Sequence, residues 1–372
     1  MSIPNPAGPP GPGLKPYETL LRAALGNGDS ALSAYVSWSA GFSPADVVDP
    51  GEFSLLSAVA GNVTRHGGML DDEVGNRIRG ISRRTWSSNN LRLETTRGVI
   101  NALRSTGAEV LIGPGPLGVL IEFDEVAVTA LDHVELWVKA THAPRAVSAL
   151  MALGAATQLG LEPFFDARSC WQQRFYATLD GCGFLLRWNA DSDHLFPPAT
   201  ICMLSTFSFS TLPLQERIWE YLLRASEPLS ADGDPTTRLR ATIALDRAIR
   251  RAASEQSAPG WEYVLGERAH RAQNHAHLAA ALRWLQVIDP TPELTKSTRE
   301  FIHVVPRPAV TSPVRVQTTT PRSAFAFGYR LVAHARVYRA ACIARNARTT
   351  VLGFGRYMAG RALLRVKRTR KL

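Results

Sequence analysis

The clearest pattern in the chain is a strict alternation of polar and apolar residues at His133–Val138, H-V-E-L-W-V. A period of two places His133, Glu135 and Trp137 on one face of an extended strand and Val134, Leu136 and Val138 on the other. The spacing predicts a half-buried strand that shows a carboxylate on its open face. A short apolar run, Val110–Ile112, precedes it and meets a glycine–proline turn, G-P-G-P-L-G at 113–118. Two further runs, 175–179 and 184–189, are joined by Asp180-Gly-Cys-Gly183 and predict a β-hairpin.

Elsewhere the apolar residues recur at helical spacing. Helices are predicted over 17–25, 30–42 (with Tyr35 and Trp38 three apart) and 53–63. One or two long helices are predicted over 83–107. Pro144 sits at an early position of a helix that runs to about residue 153, where its missing N–H costs nothing. From Leu212 onward the pattern is helical again, over 215–224, 236–253, 261–271 and 275–287. Asp49-Pro-Gly51 and Asp289-Pro-Thr-Pro292 mark breaks. The fold class that follows is α+β, a small mixed sheet embedded in a mainly helical chain.

Composition adds little to this until charge is followed along the chain. The 372 residues are 45 % apolar and 20 % charged, enough for a buried core. Four cysteines (Cys170, Cys182, Cys202, Cys342) show no C-x-x-C and fit a reduced, cytoplasmic setting. The opening M-S-I-P-N-P-A-G-P-P-G-P-G lacks the basic start and apolar core of a signal peptide and predicts a mobile proline-rich leader. The longest uncharged runs, 146–161 and 197–214, carry Gly, Gln, Ser, Thr or Pro and are predicted to be core rather than membrane spans. The net charge of +10 is unevenly spread: 15 of the 42 Lys and Arg follow Glu300, and none of the 32 Asp and Glu do. The body is therefore mildly acidic and the tail strongly basic. Basic residues interleaved with Leu, Val, Tyr and Phe over 322–372 predict basic amphipathic helices. Three partners fit them: an anionic membrane surface, which makes the protein peripheral; a nucleic acid or other acidic polymer; or the protein's own acidic body.

The order and spacing of these pieces resemble the uncharacterised nucleotidyltransferase family of the DNA polymerase β superfamily, over about residues 17–295. The pieces are Val110-Leu-Ile-Gly113, then Thr129-Ala-Leu-Asp-His-Val-Glu-Leu-Trp-Val138, then Leu185-Leu-Arg-Trp188. Leu239-Arg-Ala-Thr-Ile-Ala-Leu-Asp246-Arg-Ala248 and Trp261-Glu-Tyr-Val-Leu-Gly-Glu-Arg-Ala269 follow in the helical part. The resemblance implies a bacterial protein with a sheet of the nucleotidyltransferase type, within a nucleotidyltransferase-like core at 108–195. That core lies between the leader (1–16), a helical region at 17–107 and a second at 196–300, before a linker at 301–321 and the tail. The implied activity is transfer of a nucleoside monophosphate from an NTP, with Mg²⁺ or Mn²⁺ as cofactor, to an unknown acceptor.

The departures from the family pattern fall on the chemistry. The family lysine is Ile112, and the arginine before the strand is Thr129. The two aspartates are His133 and Glu135, with Asp132 one position early; the third carboxylate is Leu185 and the histidine after it Arg187. Mg²⁺ requires hard oxygen ligands in octahedral array, whereas an imidazole beside one carboxylate suits Zn or Mn better. Glu135, His133 and Asp132 are the candidate metal ligands, and Glu135 and Asp132 the candidate catalytic residues. Asp132 reaches the same face only if a bulge turns it. Gly113 and Gly115 are the candidate nucleotide-binding residues, although Pro114 and Pro116 have no N–H to offer a phosphate. Asp191 and Asp193 could replace a lost carboxylate if the hairpin end curls toward Glu135. His270, His275 and His277 are spaced five and two apart and do not converge on one helical face, and Asp246 fits a helix-packing residue. Two functions remain open at this point: a divergent nucleotidyltransferase, or a non-catalytic binding or scaffold protein that kept the framework, bound to a protein partner or to a membrane surface through its tail.

Overall fold

The computed structural model describes residues 17–43, 48–157, 174–188, 200–226, 235–255, 260–271 and 274–304. The leader, Asp191 and Asp193, the linker beyond 304 and the basic tail lie outside the described residues. The chain opens with four helices: α1 (Glu18–Leu25), α2 (Gly28–Ser39), α3 (Pro50–Arg65) and α4 (Glu73–Ser105). Local chemistry fixes where the last two begin. Pro50 occupies the first turn of α3, and the Asp49 carboxylate accepts from the N–H groups of Gly51 (2.7 Å) and Glu52 (3.1 Å). Asp72 caps α4 in the same way through Gly75 N–H (2.6 Å).

The sheet then begins with β1 (Val110–Ile112), and α5 (Pro116–Phe123) leads to β2 (His133–Val138). After α6 (Ala143–Ala152) come β3 (Ala156–Thr157), β4 (Arg174–Leu179) and β5 (Cys182–Arg187), then β6 (Thr200–Leu204) and β7 (Phe207–Thr211). Five helices close the described chain: α7 (Leu214–Ser226), α8 (Thr236–Glu255), α9 (Trp261–Arg271), α10 (His275–Ile288) and α11 (Pro292–Ile302). The strands form one mixed seven-stranded sheet in the order β3-β4-β5-β2-β1-β7-β6. Strand β2 is central, parallel to β5 and antiparallel to β1. The chain is thus α+β, a mixed sheet set among helices. Among the described residues no helix is long and apolar enough to cross a membrane.

The hairpin β6–β7 stands where the helical region from residue 196 was expected to begin. Its period of two is plain in F-S-F-S-T, where Phe207, Phe209 and Thr211 are buried and Ser208 is exposed. A run with no charge at all hid that alternation.

The entry to β2 is held by α4. Asn89 is fully buried, and its amide donates to the carbonyls of Val126 (2.6 Å) and Thr129 (2.7 Å) while accepting from Leu131 N–H (2.8 Å). Arg92 adds a hydrogen bond to Leu131 O (3.0 Å). Three backbone groups of an irregular segment, 126–131, are satisfied by one side chain, which sets the register in which β2 enters the sheet. Asn89→Ala leaves those groups buried and unpaired, at about 1–3 kcal/mol for a stranded group. We expect a stability loss of roughly 2–4 kcal/mol, read as a lower urea midpoint. An unchanged midpoint would mean that the segment is held by something else.

Candidate functional site

The face of β2 predicted to be open is closed. Val134, Leu136 and Val138 enter the main core with no exposed surface. On the opposite face Glu135 is 1 % exposed and Trp137 9 %, and only His133 remains half-buried. What covers Glu135 explains the two glycines. A methyl group at Gly113 would come within 2.6 Å of the Trp137 ring and 2.8 Å of Glu135 Cγ, and one at Gly115 within 3.1 Å of Glu135 Cβ. Gly113 and Gly115 are small so that the loop between β1 and α5 can lie directly on β2. The Gly113 N–H donates to Glu135 O (2.8 Å), so it belongs to the sheet. Gly115 caps α5 and Pro116 begins it. The predicted nucleotide loop is therefore a strand end and a helix start packed on Glu135.

The Glu135 carboxylate sits in a cage of donors. Arg224 Nη2, from α7, lies 2.8 Å from both Oε1 and Oε2. Arg187 Nη1, from β5, lies 2.8 Å from Oε1, and the Trp137 indole N–H donates to Oε1 at 3.0 Å. Arg224 is pinned in turn by Pro114 O (3.0 Å), and the Arg187 guanidinium stands 5.1 Å from the centre of the Trp137 ring. A second acid completes the network: Glu220 Oε2 is 3.7 Å from Arg187 and 3.8 Å from Arg224. Two carboxylates thus face two guanidiniums, and the buried cluster balances its charge.

The titration of each group follows from this arrangement. Burial alone would raise the Glu135 pKa, but Arg224 and then Arg187 outweigh it and hold the carboxyl below its ordinary value. At Glu220 burial prevails over the same two arginines, and its pKa is raised. Arg224 stays firmly charged: burial acts against it, and Glu135 and Glu220 more than offset that.

Asp132 and His133 form a separate pair at the strand entry. Asp132 Oδ1 lies 2.9 Å from His133 Nδ1, and its Oδ2 lies 2.9 Å from Arg240 Nη1 of α8. Arg240 Nε also donates to Thr129 Oγ1 (3.1 Å), so one guanidinium of α8 holds both Thr129 and Asp132 at the strand entry. Burial works against the charged form of Asp132, yet the His133 hydrogen bond and the Arg240 charge hold its pKa well below the carboxylate range.

The candidate ligands therefore do not converge. Glu135 is enclosed by arginines, Asp132 and His133 pair with each other, and the strand neighbour of Glu135 in β5 is Leu185. Among the described residues no group of three or more His, Cys, Asp or Glu could hold a metal ion. The donor set does not fit Mg²⁺ or Mn²⁺, because the oxygens of Glu135 are already committed to cations and the second acid of the cluster, Glu220, faces the same two arginines. Of the other candidates, His270 and His275 stack at 3.7 Å between ring centres, with Nε2 atoms 2.9 Å from Val304 O and Phe301 O. His277 Nε2 contacts Ser226 O. Asp246 is fully buried and ion-paired to Arg250 (2.9 Å).

Sequence reasoning missed Arg224, Glu220 and Arg240. A signal for the first existed. Arg217 and Arg224 are seven residues apart in α7 and share a face with Tyr221, so two arginines occupy core-facing positions of an amphipathic helix. Arginine there requires a buried acid, and Glu135 for Arg224 and Glu122 for Arg217 (2.7 Å) supply it.

Removing the buried charge should be costly. We expect Glu135→Gln to lose about 3–5 kcal/mol at neutral pH, because two guanidiniums are left without their counter-charge. Since the folded pKa lies below the ordinary 4.5, this stabilisation is present above that value and is lost as pH falls through the folded pKa. Urea denaturation of both proteins at neutral and acidic pH should therefore show the gap between them shrinking only on the acid side. A gap that is the same at every pH would contradict the ion network.

No protein-family model matches the chain, and no curated protein matches it. Among solved structures, the chain is similar to the solution structure of the antibiotic-resistance factor ANT(2'')-Ia, at 13 % identity and a TM-score of 0.36, over 51 % of this chain and 98 % of that one. It is also similar to a crystal structure of ANT(2'')-Ia in complex with adenylyl-2''-tobramycin, at 14 % identity and a TM-score of 0.30, over 44 % of this chain and 99 % of that one.

Proposed function

We propose that this protein is a non-catalytic binding or scaffold protein on a framework of the nucleotidyltransferase type, in which the position of the metal-binding acid serves as a structural ion cluster. The observation that carries the reading is the saturation of Glu135 by Arg224, Arg187 and the Trp137 indole. To hold a divalent ion, that carboxylate would have to give up hydrogen bonds to two guanidiniums. Both cations would then stand beside the ion and repel it. Phosphoryl transfer is catalysed by positioning and by electrostatic stabilisation, and such ions neutralise the charge that develops on the transferred group. Asp132 offers no substitute, since both of its oxygens are engaged by His133 and Arg240.

The charge distribution supplies the other half of the reading. A mildly acidic body followed by an acid-free segment with 15 basic residues is suited to holding the folded part at an anionic membrane surface. Each basic residue near such a surface contributes about 1 kcal/mol, and the interleaved apolar residues add burial in the interface.

Two measurements test these halves separately. Full-length protein incubated with labelled ATP, CTP, GTP or UTP and Mg²⁺ or Mn²⁺ should show neither covalent label transfer nor metal-dependent thermal stabilisation. Transfer abolished by Asp132→Asn or Glu135→Gln in a folded variant would restore the enzyme reading. For the tail, co-sedimentation with vesicles containing phosphatidylserine should be strong at low salt, fall at high salt and disappear without residues 322–372. Equal sedimentation of both proteins would dismiss the membrane.

A further inference from the structure

The long helix α4 carries an exposed surface that the fold does not use. Trp86 is 55 % exposed and Leu91 74 %, on a helix that is buried to zero at Asn89, Leu93 and Val99. Grooves lie on both sides of Trp86. One, of about 440 Å³, runs between α4 and the β6–β7 turn and is lined by Trp86, Leu91, Glu94 and Phe207. The other, of about 430 Å³, is lined by Arg83, Trp86 and Ala127. The two meet at Trp86 and Ser87, so the indole stands as a ridge between them.

The charges around this ridge are asymmetric. Glu94, the acid on the rim, is ion-paired to Arg97 (2.6 Å), whose guanidinium also lies 5.6 Å from the centre of the Phe207 ring. The acid and one arginine therefore cancel. Arg83, which lines the second groove, and Arg84 next to it on α4 are both exposed, and no ion pair to a carboxylate holds either among the described residues. The surface offers an aromatic ridge, apolar walls and a double positive charge at one end. None of these residues belongs to the Glu135 cluster.

We propose that this surface docks an acidic, amphipathic segment of a partner protein, with an apolar or aromatic side chain seated against Trp86 and carboxylates against Arg83 and Arg84. Charge selects the occupant. The protein's own tail is excluded, because nothing after Glu300 carries an acid to meet the two arginines. A single-stranded nucleic acid needs cations spaced along the whole groove to follow its phosphates, and the far rim supplies Ser205, Thr206 and a neutralised Glu94. A peptide with its acids at one end of an apolar stripe fits both features, and recognition of an amphipathic helix in a groove works in this way. Exposed tryptophan and arginine are also the side chains that most often dominate such contacts.

The test uses the full-length chain and a fluorescein-labelled helical peptide of about 16 residues, with Leu and Phe at i, i+3, i+4 and i+7 and Glu elsewhere. Fluorescence anisotropy should show saturable binding that weakens with salt. Trp86→Ala and the charge reversal Arg83→Glu/Arg84→Glu should each weaken it about tenfold or more, while the same peptide with Lys for Glu should not bind. All the substituted positions are exposed, so circular dichroism should show the variants folded. Absence of binding would overturn the proposal, and so would equal binding by the variants. Preferential binding of a single-stranded oligothymidylate that is lost in those variants would assign the surface to nucleic acid instead. Self-association in analytical ultracentrifugation that Trp86→Ala abolishes would assign it to a second copy and likewise overturn the proposal.

Discussion

A carboxylate with almost no contact with water must be neutralised where it stands, and Glu135 makes this the controlling constraint of the molecule. It lies on the central strand of the sheet, so whatever neutralises it must reach the middle of the fold. Arg187 comes from the neighbouring strand and Arg224 from α7, which also packs closely against α8. The pairing therefore joins three elements far apart in the chain. Each partner is fixed further: Arg224 by the Pro114 carbonyl and Arg187 by the Trp137 ring. Ion pairs of this kind contribute less than apolar packing to net stability, but they penalise every arrangement that leaves one member alone. Their main effect is to specify one geometry.

The glycines of the β1–α5 connection belong to the same constraint. In a phosphate-binding loop, small residues let backbone N–H groups approach a ligand. Here they let the backbone approach Glu135 and Trp137, and the N–H of Gly113 is spent on the sheet. These glycines serve packing.

Much of the architecture was legible in the sequence. The period of two at His133–Val138 gave the strand and its two faces, and the turn at Asp180-Gly-Cys-Gly183 gave the hairpin β4–β5. What periodicity could not give was burial on both faces. Alternation marks which residues share a face, and charge is normally a sign that the face is wet. Glu135 breaks that rule because Arg224, 89 positions later in the chain, supplies its counter-charge. A pairing so distant leaves no local trace beyond two arginines on the inner side of α7. The hairpin β6–β7 was lost for the opposite reason: a run of Thr, Ser and apolar residues without charge has too little contrast for its period to stand out. The metal-ligand candidates are adjacent in sequence and His133 shares a face with Glu135, but their partners divide them: Asp132 is held by His133 and Arg240 at the strand entry, and Glu135 by Arg224 and Arg187.

The cage around Glu135 also bears on how the chain could change. Turning this face into an open acidic site would take removal of Arg224, removal of Arg187 and a further acid, for instance at Leu185. Any one of these steps alone passes through a protein with an unmatched charge sealed in its interior. Opening this face is limited by folding rather than by chemistry, because a buried network whose charges are all matched is hard to dismantle by single substitutions.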